Sequence, residues 1–213
     1  MEGMKTLIFG GTGFIGSNVM RYFLKNGNEI HTMIRHTSNK WRIDDLINQI
    51  NIHEGDLKSD RRIESVVSSV RPDIVINCSG LVKGYDIDDQ EGVIQENFQN
   101  TVNLVNACVK SNVEVFINSG SAKECGYSEV AILNDKCGGN PVGLYGIVKK
   151  AERLYVDMIS KKYKKRYLTA RLFTPFGYYD SETRLIPYVI LSLIDKKEPL
   201  IRNSGGGTGF LIH

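Results

Sequence analysis

The stretch Thr6-Leu7-Ile8-Phe9-Gly10-Gly11-Thr12-Gly13-Phe14-Ile15-Gly16 decides how this chain is read. Its first four residues are apolar or β-branched and read as a buried strand. Residues 14–26 then read as a helix with Ile15, Val19, Tyr22 and Phe23 on one face, and Gly27 stands where a C-terminal cap belongs. Glycines at 10, 13 and 16 meet three separate needs: a tight turn out of the strand, close approach of backbone to a pyrophosphate, and close packing of helix on strand. The free N–H groups at the helix start, on the positive end of its dipole, suit an anion. A glycine trio alone is weak evidence, but a strand before it and an amphipathic helix after it supply the context the motif needs. Gly10, Thr12, Gly13, Phe14, Ile15 and Gly16 are therefore read as a dinucleotide-binding turn.

Outward from this turn, short apolar runs alternate with helical patterns. Strands are expected at residues 29–34, 51–54, 73–77, 113–118 and 167–173, with Pro72 announcing the fourth of the chain's six. Helices are expected at 44–50, 62–70, 90–110 and 144–163. Strands that read as continuous apolar runs are covered on both faces. Alternation of strand and helix with right-handed crossovers gives an α/β fold, a doubly wound parallel sheet. No boundary interrupts residues 1–172, whereas the segment 173–213 reads as the start of something different, and its tail at 203–209 is rich in glycine.

Composition narrows the classes. The 213 residues carry 27 Lys and Arg against 24 Asp and Glu, and a net charge of +3 is too small for a nucleic-acid partner. The densest basic run, residues 161–166, falls at a helix end where the dipole favours cations. Cys78, Cys108, Cys125 and Cys137 form no CxxC pair and have no histidine at ligand spacing, so no metal site is expected and reduced thiols are the default. The longest apolar stretch, 186–194, is too short to cross a bilayer, and the N-terminus lacks the apolar core of a secretion signal. No membrane association and a cytoplasmic location are the expectation.

The end of the second strand should meet the adenosine ribose. An acid there would accept from the 2′-hydroxyl, and an arginine would hold a 2′-phosphate. Ile34-Arg35-His36 offers no acid, which favours NADP over NAD, unless Arg35 is only a solvated loop residue. Asp56, after the third strand, is either an acceptor for the adenine amino group or a helix cap.

With the glycine turn at one end of the chain and Tyr145-Gly146-Ile147-Val148-Lys149 further on, the sequence resembles the extended short-chain dehydrogenases/reductases, the family of nucleotide-sugar epimerases, dehydratases and ketoreductases. Intermediate landmarks fall in the family's order: Glu54-Gly55-Asp56-Leu57, Asn77-Cys78-Ser79-Gly80, Asn97, Asn118-Ser119-Gly120-Ser121-Ala122, and Arg171-Leu172-Phe173-Thr174-Pro175-Phe176-Gly177. The resemblance implies a Rossmann fold over residues 1–172 and the start of a substrate-binding portion, incomplete here, at 173–213. It implies that Asp56, Leu57, Cys78, Ser79, Gly80, Asn97, Tyr145 and Lys149 line the cofactor. It further implies a nucleotide-linked sugar as substrate, Ser121, Tyr145 and Lys149 as catalytic residues, and a homodimer built on the helices at 90–110 and 144–163.

The chemistry gives its own reason for the trio. Hydride transfer at a sugar carbon needs a proton moved on the attached oxygen, and a tyrosine does this if its acidity rises toward the working pH. Lys149 lies at i+4 from Tyr145 on one helix face, where its charge favours the phenolate, and Ser121 would hold the substrate oxygen. The plainer alternatives are a packed tyrosine beside a surface lysine, and Ser119 in place of Ser121. Departures from the family narrow the reaction. Ala122-Lys123 replaces the Asp-Glu pair of the dehydratases, Cys125 stands where a tyrosine is common, and Thr174 where many epimerases have asparagine. NADP-dependent reduction of a 4-ketosugar is the leading expectation. The alternatives are an epimerase with tightly bound NAD, a cofactor-binding module without catalysis, and a remnant of an enzyme gene.

Overall fold

The computed structural model describes residues 3–81, 90–126 and 140–200. Cys137 and the glycine-rich tail lie outside them. Six parallel strands form one sheet: β1 (Lys5–Phe9), β2 (Glu29–Ile34), β3 (Asn51–Glu54), β4 (Ile74–Asn77), β5 (Val115–Ser121) and β6 (Arg166–Leu172). Their order is β3-β2-β1-β4-β5-β6. The chain runs outward to β3, returns to the far side of β1 and runs outward again, so the direction of winding reverses between β1 and β4. Ligands of open parallel sheets bind at such a switch point.

The helices are α1 (Phe14–Lys25), α2 (Asp60–Val70), α3 (Gln90–Val93), α4 (Asn100–Lys110), α5 (Gly143–Tyr163) and α6 (Leu185–Ile194). A π-helical segment, Ile94–Gln99, joins α3 to α4. One face of the sheet packs Leu7, Phe9, Val75 and Phe116 against α2, α4 and α5. The other packs Ile8, Ile30, Ile74 and Ile76 against Met20 of α1 and Leu46 of a 3-10 turn, Asp44–Gln49. Each fully buried side chain of this size contributes about 1.5–3 kcal/mol. The second face is poorly covered at its β6 end, where Leu168 is 47% exposed.

Several local details differ from the sequence reading. The buried face of α1 is Gly16, Ser17 and Met20, with Val19 and Phe23 at its margin, and Tyr22 points outward at 63% exposure. The glycine and serine are needed because α1 starts against the β1 turn, so small residues define the inner face there. Residues 44–50, expected as a helix, close only as the 3-10 turn. Strand β5 continues three residues past its expected end, to Ser121, because it pairs with β6 through Ser121↔Leu172. The apolar stretch at 186–194 belongs to α6, which no strand or helix periodicity had claimed; Leu193 and Ile194 on it are exposed. The segment before α6 folds back onto the first half of the chain. There the Arg21 guanidinium lies 3.8 Å from the centre of the Tyr179 ring, and Arg42 Nε donates to the Tyr179 carbonyl at 2.8 Å.

The reduced-thiol expectation holds for Cys78 and Cys108, which are free. Cys125 departs from that expectation, being disulfide-bonded.

Candidate active site

The glycine turn explains itself sterically. Gly10 has φ +76°, and a Cβ there would lie 2.5 Å from the Cys78 carbonyl carbon and the Ser79 nitrogen. A Cβ on Gly16 would lie 2.2 Å from the Gly10 carbonyl oxygen. These two glycines let β1, α1 and the loop after β4 converge at the switch point. Gly13 differs: its nearest neighbour to an added Cβ, the Gly10 oxygen, is 3.2 Å away. Gly13 is also the N-cap of α1, and no side chain caps that end. The first-turn N–H groups therefore remain available to an anion.

In front of the turn lies a cavity of about 520 Å³, lined by Gly10, Thr12, Gly13, Arg35, Asp56, Leu57, Cys78, Ser79 and Gly80. A second cavity of about 340 Å³ is lined by Ile15, Ser121, Tyr145 and Lys149, and it also touches Cys78, Ser79 and Gly80. The two share the loop after β4, so they form one cleft across the C-terminal ends of the strands. A dinucleotide fits this arrangement: uncapped N–H groups at the centre, a polar recess beside β2 and β3 for adenosine, and the Ser-Tyr-Lys group at the other end.

Three assigned residues do not line the two cavities. Gly16 is packed under the turn, and Phe14 lines neither cavity. Asn97 is buried in the π-helical segment, not at a helix start. Its Oδ1 accepts from Leu81 N at 3.1 Å, and its Nδ2 donates to the Leu81 and Val93 carbonyls at 3.0 and 2.9 Å. Asn97 thus pins the cavity-lining loop from behind. π-turns insert a residue into the helical ladder and recur at functional sites, and here the turn aims this amide. Asp56 does not cap α2; Ser59 does, and Asp56 Oδ1 instead accepts from Lys58 N at 2.9 Å while facing the cavity. Arg35 lines the recess, and its N–H donates to Ser38 Oγ at 3.2 Å.

At the other end of the cleft, Ser121, Tyr145 and Lys149 line the same cavity. The Lys149 Nζ lies 5.9 Å from the centre of the Tyr145 ring. Burial pushes the Tyr145 phenol above its ordinary range; the Lys149 charge opposes this and the Glu152 charge adds to it. Ser119, the rival serine, enters through its backbone, since its carbonyl accepts from Lys149 Nζ at 3.1 Å. Ser121 also opens the 3-10 turn Ala122–Cys125 in a capping box with Glu124, whose Oε2 pairs with Arg153 Nε at 3.1 Å. Burial pushes the Glu124 carboxyl up, against the pull of its bond from Ser121 N and of Arg153.

Sequence reasoning missed the polar layer under this site. Glu152 Oε2 accepts from Lys149 at 3.0 Å and from Asn118 Nδ2 at 2.9 Å. Asn118 Oδ1 accepts from Asn77 Nδ2 at 2.8 Å, and Asn77 Oδ1 accepts from Ser79 N at 3.0 Å. Asn77 and Asn118 are register partners of β4 and β5. Asparagines at the ends of two apolar strands were the one available signal. Arg184, ahead of α6, is a further missed residue, lining the second cavity with Lys123.

A parallel sheet with a glycine turn at its switch point and a Ser-Tyr-Lys group across the cleft defines a dinucleotide-binding α/β protein. The model of the NAD dependent epimerase/dehydratase family matches residues 6–208, and the chain belongs to that family. It is 25% identical over 211 residues to a UDP-glucose 4-epimerase of Mycoplasma pneumoniae, across 91% of this chain and 61% of that protein. It is 26% identical to a bifunctional UDP-glucose 4-epimerase and UDP-xylose 4-epimerase of Arabidopsis thaliana, across 82% of this chain and 53% of that one. The fold matches the UDP-N-acetylglucosamine 4-epimerase of Methanobrevibacter ruminantium with a TM-score of 0.84 at 22% identity, covering 94% of this chain and 66% of that one. It also matches a dTDP-glucose 4,6-dehydratase of Bacillus anthracis, solved with NAD, with a TM-score of 0.78 at 18% identity over 92% and 63% of the two chains. The chain thus spans roughly three-fifths of the Mycoplasma relative's length. Among the described residues no helix is long and apolar enough to cross a membrane.

Proposed function

We propose that this chain carries the cofactor half and the acid/base group of a nucleotide-sugar 4-epimerase that uses NAD. The observation that carries the reading is that Ser121, Tyr145 and Lys149 line one cavity, with the Lys149 ammonium 5.9 Å from the centre of the Tyr145 ring, at one end of a cleft whose centre is the glycine turn. Sequence alone favoured an NADP-dependent ketosugar reductase. The relatives shift the balance, because the curated ones named above are 4-epimerases.

Residues 1–172 hold the cofactor in this reading, and the segment from 173 begins the sugar-nucleotide side. Gly13 and the first turn of α1 take the pyrophosphate, and Asp56 faces the adenine. Inverting a carbinol carbon requires taking the hydroxyl proton away and returning it after the other face has been presented. Tyr145 takes and returns that proton, Ser121 holds the oxygen, and the Lys149 charge offsets the burial that keeps the phenol protonated. NAD, when bound, supplies the reversible hydride acceptor. Arg184 and Lys123 add positive charge on the side where a substrate diphosphate would lie.

One observation favours a second reading. Arg35 lines the adenosine recess and no acid replaces it, which suits a 2′-phosphate and hence NADP. The test is one series on the purified chain: fluorescence titration with NADH and NADPH, then incubation with UDP-hexoses and NAD, with C4 configuration read by NMR. Tighter NADH binding and C4 inversion are expected, and Tyr145→Phe should abolish inversion while leaving cofactor affinity within about twofold. Inversion that survives in Tyr145→Phe refutes the assignment. Stereospecific oxidation of NADPH by a ketosugar nucleotide, without inversion, replaces it with the reductase.

A further inference from the structure

Lys149 is held in an unusual way for a residue that must support a phenolate. Its side chain is 3% exposed, and its closest charged partner is Glu152, one turn along α5 and 0% exposed, at 3.0 Å. Two of its three N–H bonds are spoken for, one by Glu152 and one by the Ser119 carbonyl at 3.1 Å. The third is left for the cavity that Lys149 lines. Glu152 is tied in turn to the sheet through Asn118, and Asn118 through Asn77 to the loop that lines both cavities. Its other oxygen, Oε1, is buried with no partner.

A carboxylate so placed does more than fill space. One buried oxygen without a donor means that Lys149 and a single amide carry its stabilisation, so the carboxylate and the ammonium are strongly committed to each other. The same ammonium lies 5.9 Å from the centre of the Tyr145 ring. Whatever share of its field Glu152 cancels is lost to Tyr145.

We propose that Glu152 is a positioning residue for the Tyr145 site: it anchors Lys149 to the sheet so that one N–H faces the cleft, and it withholds part of the ammonium's charge from the tyrosine. The proposal rests on Tyr145 being the acid/base group, and it makes the phenol a firm proton holder that gives up its proton only when the cleft adds a further donor. The other groups facing this pair are Cys78 from the loop after β4, Glu124 and Lys123 from the turn after β5, and Arg184 from the start of α6. Glu124 is itself paired with Arg153, and burial keeps the Cys78 thiol protonated, so Glu152 is the carboxylate whose removal changes the field most directly.

Glu152→Gln tests this with little change of shape. A glutamine can keep its oxygen toward Lys149 and Asn118 and turn its amide to the position of Oε1, where no group competes. The readout is the titration of Tyr145 in protein labelled with carbon-13 at tyrosine Cζ, the resonance being assigned with Tyr145→Phe. Neither cofactor nor substrate is present, so the result stands whether or not the chain epimerises sugars. The expected result is a Tyr145 midpoint at least one pH unit lower in Glu152→Gln, a tenfold gain in acidity, with unchanged circular dichroism. A midpoint that stays within 0.2 of a unit (roughly the error of such a titration) in the folded variant overturns the proposal. Removing one partner of a buried pair can unfold a protein, so a second measurement uses the wild type. Its Lys149 ammonium protons, observed through nitrogen-15 at Nζ, should exchange with water at least tenfold more slowly than those of surface lysines. Exchange at the surface rate shows that the anchor does not hold, and the proposal fails.

Discussion

The three glycines of the turn should separate into two that serve the fold and one that serves the ligand. Gly16→Ala places a methyl 2.2 Å from the Gly10 carbonyl oxygen and 2.9 Å from the Gly11 Cα, all backbone, so no side chain can swing away. Relief requires α1 to shift away from β1, and over-packing of this kind costs about 1–3 kcal/mol. Gly10→Ala adds left-handed strain of about 1–2 kcal/mol at φ +76° to a clash with the loop after β4. In a chain of this size each kcal/mol lowers Tm by about 2–4 °C, so Gly16→Ala should melt about 2–12 °C lower and Gly10→Ala lower still. Gly13→Ala meets a single atom at 3.2 Å, with φ at an ordinary −80°. Its smaller loss of chain entropy offsets the weaker N-cap, and its Tm should stay within about 3 °C of the wild type. Its methyl, however, enters the space before the free N–H groups of α1. Loss of that approach should weaken NADH binding at least tenfold, about 1.4 kcal/mol. Thermal unfolding by circular dichroism and fluorescence titration with NADH read the two effects separately. If Gly13→Ala binds NADH like the wild type, the pyrophosphate does not lie where the turn implies. If it melts as low as Gly16→Ala, the steric division of the three glycines is wrong.

Two other expectations follow from particular contacts. His53 lies 3.0 Å from His31, ring nitrogen to ring nitrogen, and His31 reaches Glu29 at 2.8 Å. Burial, then the His31 and Arg62 charges, lowers the pKa of His53 below the ordinary histidine value of 6.5. The unfolded chain therefore binds this proton more readily than the folded one, so the contribution to stability is full above about pH 6.5 and is lost as pH falls toward the folded value. Urea midpoints measured between pH 7.5 and pH 5 should fall more steeply in the wild type than in His53→Gln, and parallel curves refute the contribution. Separately, Ile147, Leu154 and Met158 are more than half exposed on one side of α5. We propose that this stripe meets its copy in a homodimer, as the family resemblance implied. Leu154→Glu with Met158→Glu should sediment as a monomer at concentrations where the wild type is a dimer, and a wild-type monomer at high micromolar concentration refutes the interface.

What could be read from the sequence followed the range of the interactions involved. The strands and long helices were legible because burial on both faces of a parallel sheet writes continuous apolar runs, and α2, α4 and α5 carry a clear 3.6-residue rhythm. The glycine turn was legible because its demands are local, all within seven residues. The inner face of α1 was misread, with Tyr22 counted in and Met20 left out, because the turn forces small residues inward and rotates the helix relative to its most apolar side. Asn97 opens no helix, as had been expected of it, but sits in a π-turn bonded to Leu81, and such a turn leaves no periodicity to detect. Glu152 looked like an ordinary polar residue on a charged helix. Its partner Asn118 is 34 residues away, so their meeting depends on how α5 packs on β5, and Asn118 reaches Asn77 in turn through the register of β4 with β5.

That register carries the argument from fold to function. Among the described residues the loop after β4 is the segment common to both cavities, and it is fixed from two sides by amides: Asn77 holds Ser79, and Asn97 holds Leu81. Asn77 is also the far end of the chain of hydrogen bonds that begins at Lys149. The placement of the pyrophosphate turn, through Gly10 packed on Cys78 and Ser79, and the placement of the ammonium under Tyr145 are therefore set by the same few strand-end residues. A dinucleotide must span both places at a fixed separation. A buried polar network that ties them to adjacent strands keeps that separation better than two independent loops could. Such a network also explains why charged and amide groups occupy positions in the sheet's crest where apolar side chains would cost less to bury.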